Sequence, residues 1–292
     1  TTDLQAFVEA ERRPRYRVEL VQDSAQGLLH CRAALQSSKK VLWVVNTVDR
    51  CQQIANELRN LYKDQVICYH SRYKLVHREK QHSRCIEAFK PGTASSGIVA
   101  VTTQVCEMSL DLDADLLITE HAPISSLVQR FGRANRHLRR GSAFRAMLRT
   151  YAPDSPAPYD KKELEAASRF LTELGDGDVS QRDLALGLEN LAVAERDASG
   201  STAFIHGGYF ATAGALRDTD DIGAPVVLDG DIERFKDLTR RGKPTDGLRL
   251  TVPKKHARIV EGAGLPLWMK TADGARYDPW LGFVVDDEGS LS

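Results

Sequence analysis

Lys40-Val41-Leu42-Trp43-Val44-Val45-Asn46 is an unbroken apolar run that ends on a polar amide. A strand with one face in water alternates apolar and polar residues. A run that is apolar on both faces predicts a strand covered on both sides, the habit of parallel sheets. Asp49–Leu61 follows, with Cys51, Ile54, Ala55, Leu58 and Leu61 at helical spacing. The cycle repeats outward. A strand at Arg17–Val21 and a helix at Ala25–Gln36 come before it. After it come strand Gln65–His70, helix His77–Phe89, strands Gly97–Thr102 and Asp115–His121, helix Ser125–Arg133 and strand Arg145–Tyr151. Strands alternating with helices predict an α/β fold, a mostly parallel sheet with helices on both faces. In such sheets function gathers on the loops beyond the strand C-termini.

Ala152-Pro153-Asp154-Ser155-Pro156-Ala157-Pro158 breaks this rhythm and predicts a boundary, with one domain over 1–152 and an accessory region over 153–292. The second part carries expected helices at Asp160–Leu174, Gln181–Ala194 and Asp231–Thr239. Its tail, Leu265–Val285, reads as a hairpin turning at Asp273-Gly274, with Trp268, Tyr277, Trp280 and Phe283 for packing.

Hydrophobic residues at 42% and charged residues at 27% fit a soluble globular protein. No apolar run is long enough for a membrane span. The opening Thr-Thr-Asp-Leu-Gln has no initiator Met and no signal-peptide pattern, and reads as the cut edge of a longer protein. Five cysteines without a CxxC pair suit reduced, buried thiols in a cytoplasmic protein, and no metal site is expected. The net charge of zero conceals an asymmetry. Residues 1–150 hold 23 Lys/Arg against 15 Asp/Glu, and the remainder 17 against 25. Either a polyanion meets the basic first half or the charges merely cluster.

Gln129-Arg130-Phe131-Gly132-Arg133-Ala134-Asn135-Arg136 carries the strongest chemical signal. Its arginines at i, i+3 and i+6 would project from nearly one helical face, and Gly132 would let a partner surface approach. A guanidinium stays charged and binds phosphoryl oxygens bidentately. Arginines at this spacing alone would favour a solvated basic face; the glycine and the preceding glutamine reverse that and favour function. Upstream, Thr102-Thr103-Gln104 ends an apolar strand and offers hydroxyls and an amide to a phosphate backbone. Asp111, further on, can accept from a ribose hydroxyl. Asn46-Thr47 and His70-Ser71-Arg72-Tyr73 end two other strands. For Asn46-Thr47 a turn or helix N-cap is an equal reading.

These strings together resemble the second RecA-like domain of superfamily 2 helicases. The run from Gln129 is similar to motif VI, Q-R-x-G-R-x-x-R, and Thr102 to Asp113 is similar to motif V. Asn46-Thr47 resembles the motif IV region, and His70-Ser71-Arg72-Tyr73 an H-S-R-F element. The combination is closest to the CRISPR-associated helicase–nuclease of type I systems, over roughly residues 40–140. Asn135 departs from that family's Gly or His before the last arginine, and His77 from its usual acidic residue.

The resemblance implies that Arg133 and Arg136 are arginine fingers reaching ATP held by another RecA-like domain. Such a finger is worth on the order of 10³–10⁵ in turnover. It further implies that Gln129 contacts the nucleotide or its water, that Arg130 organises the interdomain contact, and that Asp111 and Gly132 lie at the nucleotide. Thr102, Thr103, Gln104, Asn46, Thr47, His70, Ser71 and Arg72 would face nucleic acid, single-stranded DNA in this family; backbone contacts alone do not separate DNA from RNA. The implied partners are the first RecA-like domain and a CRISPR guide-RNA surveillance complex, with ATP and Mg2+ as cofactors of the intact enzyme. Tyr277-Asp278-Pro279-Trp280-Leu281-Gly282 resembles that family's closing Y-D-x-x-x-G string. Its aromatics suit packing in a small β element better than stacking on bases.

The chain has no G-x-x-x-x-G-K-[ST] string; Arg241-Gly242-Lys243-Pro244 fails at its last position. No D-E-x-[DH] follows an apolar strand, and no adjacent His-Asp pair occurs. The chain alone is therefore expected neither to hydrolyse ATP efficiently nor to cut DNA, and its motif VI arginines are expected to stand exposed and lightly used. Two other readings remain: a helicase fragment outside CRISPR systems, and a nucleic-acid-binding or docking module that works without nucleotide.

Overall fold

The computed structural model describes residues 8–92, 96–107, 110–199, 223–259 and 269–285. Seven strands form one sheet: Pro14–Leu20 (β1), Lys40–Val44 (β2), Val66–Tyr69 (β3), Ile98–Thr102 (β4), Leu116–Glu120 (β5), Ala146–Tyr151 (β6) and Asp178–Ser180 (β7). Their order is β3-β4-β2-β5-β6-β1-β7. β3 pairs with β4, β5 with β6 and β1 with β6 in parallel, while β7 runs antiparallel to β1. This is the α/β fold that the sequence predicts. Every residue of β2, β3 and β5 is buried, which is why those strands read as apolar runs and not as alternations.

The helices of this part are Ser24–Gln36 (α1), Val48–Tyr62 (α2), Leu75–Phe89 (α3), Ile124–Phe131 (α4), Lys161–Leu174 (α5) and Gln181–Ser199 (α6). Their starts are set by side chains that take up orphan amides. Asp23 accepts from the Gln26 amide at 2.9 Å. Thr47 accepts from the Arg50 amide at 3.4 Å. Asp160 and Glu163 form a capping box. Each such cap is worth about 1 kcal/mol.

The chain gathers into two compact units, 1–42 with 89–97 and 111–218, and 43–88 with 98–110 and 219–292. The first holds β1, β5, β6 and β7. The second holds β3, β4 and a three-stranded sheet built from Gly223–Leu228 (β8), Arg249–Pro253 (β9) and Lys270–Ala272 (β10), in the order β10-β8-β9. Ile232–Arg240 (α7) packs Phe235 with Val227, Leu248 and Met269. Among the described residues no helix is long and apolar enough to cross a membrane. All five cysteines are buried and free.

The tail departs from the expected hairpin. Leu265–Trp268 lies outside the described residues. Asp273-Gly274 does turn the chain: the Asp273 carboxylate accepts from the Ala275 amide at 2.9 Å, and the Gly274 amide donates to Asp229 at 2.9 Å. That turn joins no hairpin, because β10 pairs in parallel with β8. The hairpin comes later, Tyr277–Asp278 (β11) against Gly282–Phe283 (β12). The Asp278 carboxylate closes it by accepting from the Trp280 and Leu281 amides, both at 2.7 Å.

In the first unit, His121 ends β5 and its Nδ1 lies 3.1 Å from Ser168 Oγ on α5. Ser168 spends its own proton on the Leu164 carbonyl at 3.0 Å, so Nδ1 carries the imidazole proton and donates. Burial holds this histidine neutral and lowers its pKa from 6.5 to about 4. A folded pKa below the unfolded one gives stability that is complete above pH 6.5 and is lost as pH falls toward 4. The loss is about 2 kcal/mol by pH 5 and about 3 kcal/mol by pH 4. Urea unfolding at pH 7 and pH 5 should therefore show a larger drop for wild type than for His121→Gln. Equal drops would refute the assignment.

Candidate functional site

In the first unit the motif VI run is not one helical face. α4 ends at Phe131, and Gly132 follows it with φ −61°. Arg133 sits in the turn beyond. The Ala114 amide donates to the Arg133 carbonyl and the Asn135 amide to the Ala114 carbonyl, both at 3.0 Å. The chain then turns at Asn135, whose φ is 44°. Asparagine tolerates that left-handed conformation better than most residues. Its buried amide also donates to the carbonyls of Arg15, at 3.2 Å, and Phe144, at 3.4 Å. The departure from the family pattern at this position thus has a structural reason that the sequence did not reveal.

The expectation that all three arginines stand exposed fails at Arg130. Its side chain is fully buried, with Nη1 donating to Thr119 Oγ1 at 2.9 Å and to the Glu120 carbonyl at 3.2 Å. Nη2 donates to the Tyr159 hydroxyl at 3.4 Å. Because α4 is intact at this residue, its helical phase points Arg130 into the core. Arg133 and Gln129 are half-buried, and Arg136 is exposed.

Arg136 is exposed without being idle. Its Nε lies 2.9 Å from the Asp111 carboxylate, which also meets His137 Nε2 at 3.0 Å. Its backbone amide donates to Asp113 at 2.8 Å. Asp113 and Asp115 are in turn gripped by Arg140, at 3.0 and 2.6 Å, and Asp115 accepts from the Lys40 amide at 2.7 Å. Asp113 and Arg140 are therefore positioning residues that hold the backbone at Arg136, and sequence reading gave Arg140 no part. The Asp111–Arg136 pair has side chains 60% and 42% exposed. An exposed pair of this kind contributes at most about 1 kcal/mol, so a stronger anion can take the guanidinium.

The second unit gathers the remaining strand-end residues. The Val45 amide donates to the Thr102 carbonyl at 2.9 Å, and Gln104 Nε2 donates to the Asn46 carbonyl at 2.8 Å. Asn46, Thr102 and Thr103 are buried, whereas Thr47 and Gln104 are half-exposed and Ser71 is exposed. Thr47 caps α2, the second of its two readings, and its residue remains partly open to solvent.

His70 and Arg72 are buried and already engaged. Arg72 pairs with Asp49 through both terminal nitrogens. His70 Nδ1 accepts from the Arg72 amide at 3.1 Å, so its Nε2 donates to the Leu281 carbonyl at 2.8 Å. The rest of the β11–β12 hairpin is read in the same way. Gln52 Nε2 donates to the carbonyls of Leu281 and Phe283, at 2.7 and 2.9 Å, and the Tyr73 hydroxyl donates to the Trp280 carbonyl. The Phe283 amide returns a bond to the Arg72 carbonyl at 2.9 Å. Gly282 has φ +78°, and a Cβ there would lie 2.6 Å from the Arg72 carbonyl oxygen, which is why this position is glycine. At the hairpin's other end the Lys74 amide donates to the Tyr277 hydroxyl at 3.0 Å, and His77 Nδ1 lies 2.7 Å from that hydroxyl. Phe283 is buried and the Trp280 ring lies under the Arg59 guanidinium, 4.1 Å away. Packing thus employs these aromatics.

Comparison with known proteins follows the same lines. Residues 37–139 match the family described as CRISPR-associated nuclease/helicase Cas3, C-terminal. The putative CRISPR-associated nuclease/helicase Cas3 of Myxococcus xanthus is 41% identical over 178 residues, 60% of this chain and 23% of that protein. The CRISPR-associated endonuclease/helicase Cas3 of Escherichia coli is 40% identical over 112 residues, 37% of this chain and 12% of that protein. The chain thus spans less than a quarter of the length of these relatives. The crystal structure of T. fusca Cas3 with ATP superposes with a TM-score of 0.63 at 19% identity, covering 90% of this chain and 40% of that one. A chain of a CRISPR RNA-guided surveillance complex in a pre-nicking state gives 0.62 at 18% identity, covering 94% and 45%. At these identities the superpositions establish the shared fold. The chain is similar to the C-terminal part of the Cas3 helicases, as its motifs imply.

Proposed function

We propose that this Cas3-like chain is the second RecA-like part, with its accessory region, of an ATP-dependent helicase or translocase that acts on single-stranded DNA in type I CRISPR interference. One observation carries the reading: Arg136 and Asp111, the last arginine of motif VI and the late aspartate of motif V, lie 2.9 Å apart. Two residues assigned separately to a nucleotide converge on one exposed place.

In this reading ATP and Mg2+ are held chiefly by a P-loop domain elsewhere in the parent protein, since this sequence has no such string. ATP supplies the phosphoryl bond whose cleavage drives movement. Arg133 and Arg136 neutralise charge on the transferred group, and Asp111, released from Arg136, accepts from the ribose. Ser71, Thr47 and Gln104 offer the accessible polar groups for a phosphate backbone. The surveillance complex of the superposed structure indicates the kind of assembly that would deliver the strand.

The test compares this chain with its parent protein in ATP hydrolysis, with and without single-stranded DNA and a guide-RNA surveillance complex. The expected result is strand-stimulated turnover by the parent and none by the chain alone. Turnover by the isolated chain, or a parent indifferent to DNA, would overturn the proposal. Stimulation by RNA in place of DNA would move it to the helicases outside CRISPR systems.

A further inference from the structure

Asp111-Leu112-Asp113-Ala114-Asp115 carries three carboxylates at alternate positions, with the apolar residues between them fully buried. Arg140 grips two of the three, Asp113 and Asp115. Asp111 is served differently, by two residues adjacent in sequence that meet the same oxygen. Nε of Arg136 lies 2.9 Å from Asp111 Oδ1, and Nε2 of His137 lies 3.0 Å from it. Among the described residues no group bonds Asp111 Oδ2.

Consecutive side chains rarely reach one atom. In a strand they point to opposite faces, and on a helix they do not face each other. Here the backbone is left-handed on both sides of the pair, with φ 44° at Asn135 and 54° at Leu138. Asparagine accepts that conformation, because its amide can bond nearby backbone; leucine has no such group and is strained in it. Strain of this kind persists only where the surroundings hold it, and it gathers at ligand clamps.

The two holds on Oδ1 differ in kind. The guanidinium of Arg136 ends a long, rotamer-rich side chain that is 42% exposed, whereas the imidazole of His137 is carried on a short one that is 28% exposed. Arg136 is also the residue that the proposed reaction draws away to the transferred phosphoryl group. When it leaves, His137 is the hold that stays on Oδ1. A carboxylate only accepts, so His137 Nε2 carries a proton here and donates it. Oδ2 is then left to accept from a sugar hydroxyl.

We propose that His137 is a positioning residue for the nucleotide sugar: it holds Asp111 Oδ1 while Arg136 engages phosphate, and so lets Asp111 Oδ2 select nucleotides that carry ribose hydroxyls. The inference rests on the reading of Asp111 as the ribose acceptor and adds the residue that keeps that carboxylate in place.

Steady-state hydrolysis by the full-length protein with saturating single-stranded DNA tests it, with ATP compared against 2′,3′-dideoxy-ATP. Wild type should favour ATP in kcat/KM by about tenfold or more, the worth of a hydrogen bond to a charged acceptor. His137→Phe keeps a ring and loses the donor. Its preference for ATP should fall about fivefold or more, through a higher KM for ATP, with kcat within about twofold of wild type. His137→Gln offers a donor again and should recover most of the preference. An undiminished preference in His137→Phe overturns the positioning role and leaves the ribose reading intact. A fall in kcat that is equal for both nucleotides and is not recovered by His137→Gln overturns it too, since that is what a merely structural residue would give. Wild type indifferent to the sugar overturns the ribose reading of Asp111 and this inference with it, and a parent without hydrolysis overturns the motor reading beneath both.

Discussion

Arg136→Ala in the full-length enzyme is expected to lower kcat for strand-stimulated ATP hydrolysis by about 10³ or more, with single-strand affinity unchanged within about threefold. The side chain is exposed, and its one ion-pair partner among the described residues is the half-open Asp111 carboxylate. The backbone beneath it is clamped independently by Asp113, which Arg140 holds in place. Truncating Arg136 therefore removes a charge without removing a support, and the folding cost should stay below about 1 kcal/mol. Arg133→Ala should give a loss of the same order. Arg136→Lys should recover little, because an ammonium keeps the charge and loses the planar fork that grips two oxygens. The measurement is steady-state hydrolysis with saturating DNA, paired with anisotropy of a labelled single strand. Turnover within threefold of wild type for both alanine variants would remove the finger assignment.

How much of this could be read in advance divides by range along the chain. β2 was legible because burial on both faces writes itself as an unbroken run, all five of its residues and the two after it being buried, and α2 because Cys51, Ile54, Ala55 and Leu58 repeat at its pitch. The arginines were legible as a motif but not as three different environments. Spacing places Arg130, Arg133 and Arg136 on one face only while the helix lasts, and it stops at Phe131. What stops it is the pairing of Ala114 with Ala134, a contact across twenty positions that leaves no periodic trace. His70 and Arg72 were legible as strand-end residues. That the His70 ring meets the Leu281 carbonyl and the Arg72 carbonyl the Phe283 amide, each more than two hundred positions later, was not, nor that Asp49 holds the Arg72 guanidinium. Turn chemistry was read correctly at Asp273-Gly274, yet a turn signal does not say which strand the chain joins next, and β10 joined β8.

Arg130 supplies the contrasting result. Arg130→Ala is expected to lower the unfolding free energy by about 3–5 kcal/mol, from the loss of hydrogen bonds to a charged donor, about 1.5–3 kcal/mol each, and of its buried stem. The guanidinium is fully buried and donates to Thr119 Oγ1, the Glu120 carbonyl and the Tyr159 hydroxyl. Truncation removes one of the donors to the Glu120 carbonyl, which keeps Thr119 Oγ1 at 2.9 Å, and opens a cavity of several heavy atoms at the start of the motif VI run. Domains of ordinary stability have about 5–15 kcal/mol in total, so the variant should unfold at much lower urea and should lose ATPase activity as well. That loss would carry no information about catalysis. Arg130 and Arg136 are six positions apart and their alanine variants should look alike in an activity assay; only unfolding curves separate them, with Arg136→Ala close to wild type and Arg130→Ala strongly displaced. A stability change below about 1 kcal/mol for Arg130→Ala, at unchanged m-value, would mean that the buried guanidinium is not what holds β5, α4 and Tyr159 together.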